Sequence, residues 1–232
     1  MLYNILAIGD VVGGCGVSCL ERHLRAVKKL KNIHFTVVNG ENAAMVGLTP
    51  NDAERIFSAG ADVITLGNHS FGKMQITDYL DDCPYILRPH NLGARVPGRG
   101  YGVFDCGRAR IAVMNLIGRC DLAFHADNPF KTADELLKSG EKPTFTLLDF
   151  HAEATSEKLA MAYYLDGRVS AIWGTHTHVP TADEEVFPKG TGYLTDLGMT
   201  GAVRSVLGIK PEQSVETFLG GLPGRYREPE KS

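Results

Sequence analysis

The sequence contains no long hydrophobic run. No segment approaches the roughly 20 consecutive apolar residues that a transmembrane helix requires. The amino-terminal segment, MLYNILAIGDVV, has no basic residue before its apolar run, and Gly9-Asp10 interrupts that run early. A secretory signal peptide would combine a basic start with an uninterrupted apolar stretch. We therefore expect a cytoplasmic protein that does not enter a membrane.

An excess of basic residues is also missing. Lys and Arg number 24 against 27 Asp and Glu, which gives a formal net charge of −3 at pH 7. Proteins that bind nucleic acids or membrane surfaces in general carry a positive balance. The composition therefore argues against such a binder, and RNA as a substrate has no support from it.

Cysteine is sparse and scattered, at positions Cys15, Cys19, Cys83, Cys106 and Cys120. The odd number and the wide spacing favour free thiols in a reducing cytosol over a disulfide framework. The first two cysteines form a C-x3-C pattern, which is neither a redox motif nor half of a paired zinc knuckle. We interpret them as small packing residues.

The chain is long enough to bury a substantial core. Its 232 residues are 44% hydrophobic and 22% charged, which is ordinary for a globular protein. It shows no internal repeat, low-complexity tract or linker-like segment. We expect one domain over residues 1–232, with a flexible carboxyl-terminal tail from about residue 223 to 232.

Short β-rich runs alternate with helix-patterned segments. Strands are predicted at Ile5–Ile8, Phe35–Val38, Val63–Leu66, Ile111–Asn115, Phe145–Leu148, Ala171–Trp173 and Tyr193–Thr195. Helices are predicted at Cys19–Leu30, Pro50–Ala59 and Ser156–Leu165, and Thr49 is suited to cap the second of them. Pro89–Cys106 is typical of a loop with a hairpin. Strands that alternate with helices predict a largely parallel sheet with right-handed crossovers.

Polar side chains follow five of the predicted strands. They are Asp10, Glu41-Asn42, Asn68-His69, His151 and His176-x-His178. In open α/β sheets, ligands bind beyond the carboxyl ends of the strands. Polar residues scattered through a core would not fall at strand ends so regularly. The sequence therefore predicts a binding site at this edge.

The side chains at this edge are of the types that bind transition metals. They combine two carboxylates, two amides and three imidazoles without a thiolate: Asp10, Glu41, Asn42, Asn68, His151, His176 and His178. This mixture suits Mn, Fe or Zn and is too rich in nitrogen for a calcium site. Two carboxylates would leave two divalent ions with a net positive charge, which attracts phosphate and lowers the pKa of a bridging water.

The order of the motifs is specific to one family. The motifs are Gly9-Asp10, Gly40-Glu41-Asn42, Gly67-Asn68-His69, a later lone histidine and Gly174-Thr175-His176-Thr177-His178. This order resembles the calcineurin-like metallophosphoesterase superfamily and, more closely, the bacterial YmdB-like family of dinuclear metallophosphodiesterases. Further matching runs are Asp127–Leu137, Asp149–Lys158 and Thr195–Gly201, so the resemblance covers nearly the whole chain. It implies an α/β sandwich of mixed β-sheets flanked by helices, with the active site on loops at the carboxyl ends of the strands.

The resemblance also implies a ligand set for each of two metal ions. One ion would be held by Asp10, Glu41, Asn42 and His178. The other would be held by Glu41, Asn68, His151 and His176, which makes Glu41 the bridge. His69 is left without a metal and is the candidate general acid in an attack by a metal-bridged hydroxide.

The metals implied are iron or manganese, with zinc as an alternative, and the leading substrates are 2′,3′- and 3′,5′-cyclic nucleotides. A homo-oligomer is compatible with such a family.

Other histidines and carboxylates are interpreted differently. Asp149 and Asp196 follow candidate strands or lie within them, and we expect them to orient ligand histidines by hydrogen bonds. His23, His34 and His125 stand in surface or helical contexts and are expected to lie away from the site. For His90 the sequence leaves a place in the substrate cleft and a structural role equally open.

Three alternative functions remain open. The run Gly13-Gly14-Cys15-Gly16 is similar to a dinucleotide-binding loop, but G-x-G-x-x-G fails at Cys19 and leaves the three candidate ligand histidines unexplained. A phosphomonoesterase or a nuclease could use the same metals. A regulatory protein that senses a nucleotide or a metal could retain the ligands with weak catalysis, although His69 favours a catalyst because sensing requires no acid.

Overall fold

The computed structural model describes residues 2–122, 125–138, 142–222 and 224–229. Its β-strands are β1 (Asn4–Ile8), β2 (Ile33–Asn39), β3 (Val63–Thr65), β4 (Ile86–Leu87), β5 (Tyr101–Asp105), β6 (Arg110–Ile117), β7 (Phe145–His151), β8 (Ala171–Thr175), β9 (Glu185–Val186) and β10 (Gly192–Leu194). Its α-helices are α1 (Gly13–Leu30), α2 (Pro50–Ala59), α3 (Thr77–Asp82), α4 (Pro129–Leu137), α5 (Thr155–Leu165) and α6 (Pro211–Phe218). Single 3₁₀ turns lie at Met74–Ile76 and His90–Leu92.

The strands form two sheets. The first has the order β1-β2-β3-β4, and all its pairs are parallel. The second has the order β5-β6-β7-β8-β10-β9, with parallel pairs in the middle and an antiparallel pair at each end. The predicted α/β fold of mixed sheets flanked by helices is therefore confirmed. The hairpin expected within Pro89–Cys106 is displaced, because only β5 lies in that segment and its partner β6 follows it.

The two sheets pack face to face, and helices cover their outer faces. Phe35 and Val37 of β2 point to the second sheet and meet Ile111 and Trp173 in one buried cluster. The next residue, Val38, points to the opposite face, where α1 and α2 pack. This alternation follows from the period of two along a strand. Full burial of one such side chain stabilises the fold by about 1.5–3 kcal/mol.

Helix α2 has the predicted bounds, because local signals define it. The Thr49 side chain accepts a hydrogen bond from the backbone N–H of Asp52, and Pro50 occupies the first turn. Helix α1 differs from its prediction. It begins at Gly13 instead of Cys19, so the glycine-rich run is part of the helix.

Contacts distant in sequence explain this early start. A Cβ atom on Gly16 would lie 2.3 Å from the backbone oxygen of Thr200, so only glycine allows this close approach. The carboxylate of Glu228 accepts hydrogen bonds from the N–H groups of Gly14 and Cys15. The amides that a dinucleotide phosphate would require are therefore bound to the protein's own carboxylate.

The predicted tail falls partly outside the described residues, since residue 223 and residues 230–232 are not among them. Residues 224–229 lie between α6 and the start of α1. The side chain of Gln213 bonds to the backbone of Arg225 and Arg227, and Glu228 reaches α1. Among the described residues, none of the helices has the length and apolar character needed to cross a membrane.

Candidate active site

The carboxyl ends of the parallel strands of both sheets meet at one edge of the sandwich. In the first sheet, Asp10, Glu41 and Asn68 follow β1, β2 and β3. In the second sheet, His151 ends β7 and His176 directly follows β8. Because the sheets are stacked, these side chains face one another across the edge where α/β folds bind ligands.

Glu41, Asn68, His151 and His176 form the first of two groups of side chains. Nε2 of His151 lies 2.9 Å from Oδ1 of Asn68 and 3.1 Å from Nδ1 of His176. It also lies 3.2 Å from Oε1 of Glu41. One ligand atom each from Glu41, His151 and His176 lies within 4.8 Å of the others, so the three could converge on one cation.

Asp10, Asn42 and His178 form the second group. Nε2 of His178 lies 3.1 Å from Nδ2 of Asn42 and 3.8 Å from Oδ1 of Asp10. Nδ2 of Asn42 also donates to Oε1 of Glu41 over 3.1 Å, so Glu41 lies between the two groups. Oδ1 of Asp10 is buried without a hydrogen-bond partner among the described residues. A buried carboxylate oxygen of this kind is costly while it is charged and unpaired, and a bound cation would remove that cost.

Burial and mutual proximity shift the pKa values in the cluster. Burial, with a further contribution from Glu41, raises the pKa of Asp10 to about 7. Burial alone would lower the pKa of His151, but the carboxylates of Glu41 and Asp10 raise it to about 9. Burial and the nearby His151 lower the pKa of His176 to about 4. A cation would supply the positive charge that protons provide in the metal-free cluster.

His151 is oriented by a chain of two further side chains. The hydroxyl of Thr175 donates to Oδ1 of Asp149 over 2.7 Å. It must therefore accept the hydrogen of His151 Nδ1, which lies 2.9 Å away. Nε2 therefore faces the cluster, where its lone pair becomes available to a cation that replaces its hydrogen. Asp149 orients the histidine as expected, but through Thr175, which the sequence alone did not single out.

His176 is oriented by Glu153. Its Nε2 lies 3.0 Å from Oε2 of Glu153, so the hydrogen on Nε2 is donated outwards and Nδ1 faces His151. Glu153 was not predicted as a site residue. The available signal was its place two residues after His151, because a carboxylate near a candidate ligand often binds a neighbouring imidazole.

The loop that carries the two last histidines has a constrained backbone. His176 and His178 have φ values of 99° and 65°, a region that residues other than glycine rarely adopt. The carboxylate of Asp196 accepts from the backbone N–H of Thr177 over 3.3 Å and pairs with Lys158 over 2.7 Å. Asp196 therefore supports the loop through its backbone, and not through an imidazole as expected.

His69 lies on the rim of the cluster. Its Nδ1 is 3.0 Å from Oδ1 of Asn42, and its backbone N–H donates to Oε2 of Glu41. Because the Asn42 amide nitrogen faces Glu41 and His178, its oxygen accepts from Nδ1 of His69. The His69 side chain is 36% exposed and lines the adjoining cavity.

The cavity above the cluster has a volume of about 430 Å³. Its polar lining includes Glu41, His69, His176 and His178. Its apolar lining is formed by Val12, Met45, Val46, Leu207, Ile209 and Tyr226. A polar group and an apolar group of one small molecule could therefore be bound together.

All eight predicted site residues lie at this edge: Asp10, Glu41, Asn42, Asn68, His69, His151, His176 and His178. Four other histidines do not line the cavity: His23, His34, His90 and His125. For His90, this favours the structural role that the sequence left open.

The stacked sheets, the outer helices and the polar cluster at the shared edge define the fold of the calcineurin-like metallophosphoesterases. The chain belongs to the YmdB-like family, whose model, described as YmdB-like protein, matches residues 6–232.

Similar proteins of known name include a phosphodiesterase and a phosphatase. The 2′,3′-cyclic-nucleotide 2′-phosphodiesterase of Bacillus subtilis (strain 168) is 46% identical over 225 residues, which cover 96% of this chain and 85% of that protein. The crystal structure of a hypothetical protein from Thermus thermophilus has a TM-score of 0.91 at 38% identity and covers 98% of this chain and 88% of the other. That of a novel phosphatase from Mycoplasma pneumoniae has a TM-score of 0.90 at 36% identity, with coverage of 99% and 85%.

Proposed function

We propose that the protein is a dinuclear metal-dependent phosphodiesterase that hydrolyses 2′,3′- and 3′,5′-cyclic nucleotides or similar phosphodiesters. The observation that carries this proposal is the position of Glu41 between two groups of candidate metal ligands beside an open cavity. The name of the Bacillus subtilis relative supports a cyclic diester as the substrate.

Each group of side chains would hold one ion. Asp10 and His178 would supply ligands of the first ion, together with Oδ1 of Asn42, the oxygen that also accepts from His69. Asn68, His151 and His176 would supply those of the second ion, with Glu41 shared by both. The buried and unpartnered Oδ1 of Asp10 supports the first site, and the convergence on Nε2 of His151 supports the second. Bound ions of this type lower the pKa of a coordinated water and neutralise charge on phosphate oxygens.

The donor set favours iron or manganese, with zinc as an alternative. It consists of oxygen and imidazole nitrogen, and no cysteine lines the cavity in the part of the chain that the structure describes. None of the five cysteines forms a disulfide bond, which supports a cytoplasmic enzyme.

His69 is the general acid in this proposal. Since Nδ1 donates to Asn42, a protonated imidazole presents its second hydrogen on Nε2 to the leaving oxygen. Proton donation avoids the release of a strongly basic alkoxide, and it accelerates such reactions by about 10²–10⁴-fold. Its exposed position on the cavity rim supports this role, because a leaving ribose oxygen could reach it there.

The activity is tested with adenosine 2′,3′-cyclic phosphate, adenosine 3′,5′-cyclic phosphate and the monoester p-nitrophenyl phosphate. We expect the metal-loaded protein to hydrolyse the cyclic diesters faster than the monoester and to lose this activity after chelation. A strong preference for the monoester, or full diester hydrolysis by the metal-depleted protein, would overturn the proposal.

A further inference from the structure

The apolar lining of the cavity lies beside the proposed metal cluster, and the chemistry at phosphorus does not use it. Tyr226 is the one tyrosine, phenylalanine or tryptophan among the described residues that line this cavity. It lines the cavity together with Leu207 and Ile209, and His69 and His176 line the same space. With 53% of its surface exposed, Tyr226 is accessible to a ligand in the cavity.

Hydrogen bonds on both sides of Tyr226 hold its backbone. Nε2 of Gln213 donates to the carbonyl oxygen of Arg225 over 2.8 Å, and Oε1 of Gln213 accepts from the N–H of Arg227 over 3.0 Å. The N–H of Lys210 donates to the carbonyl oxygen of Arg227 over 3.0 Å. The residues before and after Tyr226 are thus bound to the start of α6, which orders the tyrosine between them.

Glu228 provides a second anchor, two residues after Tyr226. Its carboxylate accepts from the N–H groups of Gly14 and Cys15 over 2.8 and 3.1 Å, at the positive end of α1. A Cβ atom on Gly13 would lie 2.3 Å from this carboxyl group, so a side chain at that position would displace it. The N–H of Gly13 donates to the carbonyl oxygen of Asn42, which joins this anchor to the proposed metal cluster.

The part of the apolar lining formed by Leu207 and Ile209 is connected to the loop that carries His176 and His178. Nδ1 of His178 lies 3.4 Å from the carbonyl oxygen of Leu207. Val206 and Ile209 exchange backbone hydrogen bonds, which closes the turn that carries Leu207. The apolar lining and the polar cluster are therefore held in a defined relation, and a ligand with a phosphate and an aromatic ring matches both.

We propose that Tyr226 binds the nucleobase of the substrate by stacking, and that Gln213 and Glu228 are positioning residues for it. This inference rests on the proposed function, because it names the residue that binds the nucleobase, the part of a cyclic nucleotide that does not react. Every base offers a π-face to an aromatic ring, so stacking is tolerant of base identity. The enzyme should therefore discriminate weakly among the four bases and strongly against a substrate without a base.

The test compares two substrates with the same reacting centre. Adenosine 2′,3′-cyclic phosphate carries a base, whereas methyl riboside 2′,3′-cyclic phosphate carries a methoxy group in its place. We expect Tyr226→Ala to lower kcat/KM for the first by roughly tenfold, mainly through KM, and to leave the second within about twofold. Tyr226→Phe keeps the ring and should behave as wild type. Tyr163→Ala removes an exposed tyrosine outside the cavity and is the matched control.

The positioning role is tested by combining substitutions. Gln213→Ala and Glu228→Gln should each weaken hydrolysis of the adenosine substrate alone, and should add little further loss when Tyr226→Ala is already present. Equal losses for both substrates would show a purely structural role for the segment, and no loss for either would show that Tyr226 does not contact the base. Both results overturn the inference while leaving the proposed activity intact.

Failure of the proposed function gives a different result. If metal-loaded wild type hydrolyses neither substrate, calorimetric binding of adenosine 3′-monophosphate tests the inference directly. Roughly tenfold weaker binding to Tyr226→Ala would support base stacking in a protein that binds nucleotides without cleaving them. Equal binding to the wild type and the variant would contradict it.

Discussion

Oδ1 of Asn68 lies 2.9 Å from Nε2 of His151, although 83 residues separate them in the sequence. Asn68 follows a strand of the first sheet and His151 ends a strand of the second. Their contact exists only because the sheets are stacked through the core that contains Phe35 and Trp173. The proposed metal site is therefore a property of the whole sandwich, and its assembly is coupled to folding.

Substitution of His69 should separate catalysis from metal binding. We expect His69→Ala to lower kcat for adenosine 2′,3′-cyclic phosphate by about 10²–10⁴-fold, because the leaving alkoxide loses its proton donor. The loss should be much smaller for bis-p-nitrophenyl phosphate, whose leaving group is stable without a proton. His23→Ala alters an exposed histidine of α1 and serves as the control. Loss of bound metal together with activity would show that His69 is a ligand instead of an acid.

Thr175 should control the metal affinity through His151. Thr175→Val keeps the shape of the side chain but removes the hydroxyl that accepts from Nδ1 of His151 and donates to Asp149. We expect metal affinity to fall by about 10–100-fold, as for other partners that orient ligands, and Thr175→Ser to restore it. Titration of each metal-free variant with metal ions measures the two affinities. An unchanged affinity in the valine variant would refute the orienting role.

Glu153 should act in the same way on His176. Glu153→Ala removes the acceptor for the hydrogen on Nε2, and we expect roughly tenfold weaker metal binding. Glu153→Gln keeps an acceptor oxygen and should stay close to wild type. Glu184→Ala, at an exposed carboxylate outside the cavity, is the control. Equal affinities in Glu153→Ala and wild type would show that the contact does not orient the imidazole.

The buried ion pair between Lys158 and Asp196 should contribute to the free energy of unfolding and support the loop of the candidate metal site. Both side chains are 1% exposed, and Asp196 also supports the loop that carries His176 and His178. Lys158→Met would leave a buried carboxylate without its partner, and we expect it to lower the free energy of unfolding by about 3–5 kcal/mol. Urea denaturation of the metal-free protein measures this loss.

The double variant Lys158→Met/Asp196→Asn removes both charges and should recover part of the stability. Lys131→Met, at an exposed position of α4, is the control. A loss in Lys158→Met no larger than in Lys131→Met would show that the pair contributes little.

The sequence predicted most of what depends on local patterns. Helix α2 was predicted at its observed bounds, because Thr49 and Pro50 are strong local start signals. The start of α1 was not, because Gly13 and Gly14 have low helix propensity. Hydrogen bonds from the N–H groups of Gly14 and Cys15 to a carboxylate more than 200 residues away stabilise that start.

The difference between local signals and distant contacts also explains which residues of the candidate site could be predicted. Side chains such as Asp10 were found because the ends of strands could be recognised. Thr175, Glu153 and Tyr226 were not, because their contacts with the cluster or the cavity depend on how the sheets and the carboxyl-terminal segment pack together. The sequence could place residues at an edge, but it could not determine which further side chains would orient them.

The most direct test of the dinuclear site is anomalous diffraction from crystals of protein purified without added metal, combined with elemental analysis of the same preparation. We predict two anomalous peaks, separated by about 3.5–4 Å, on either side of the Glu41 carboxylate. One peak should adjoin Asp10 and His178, and the other should adjoin His151 and His176. A fully active phosphodiesterase whose crystals and solutions contain no metal at these positions would contradict the account.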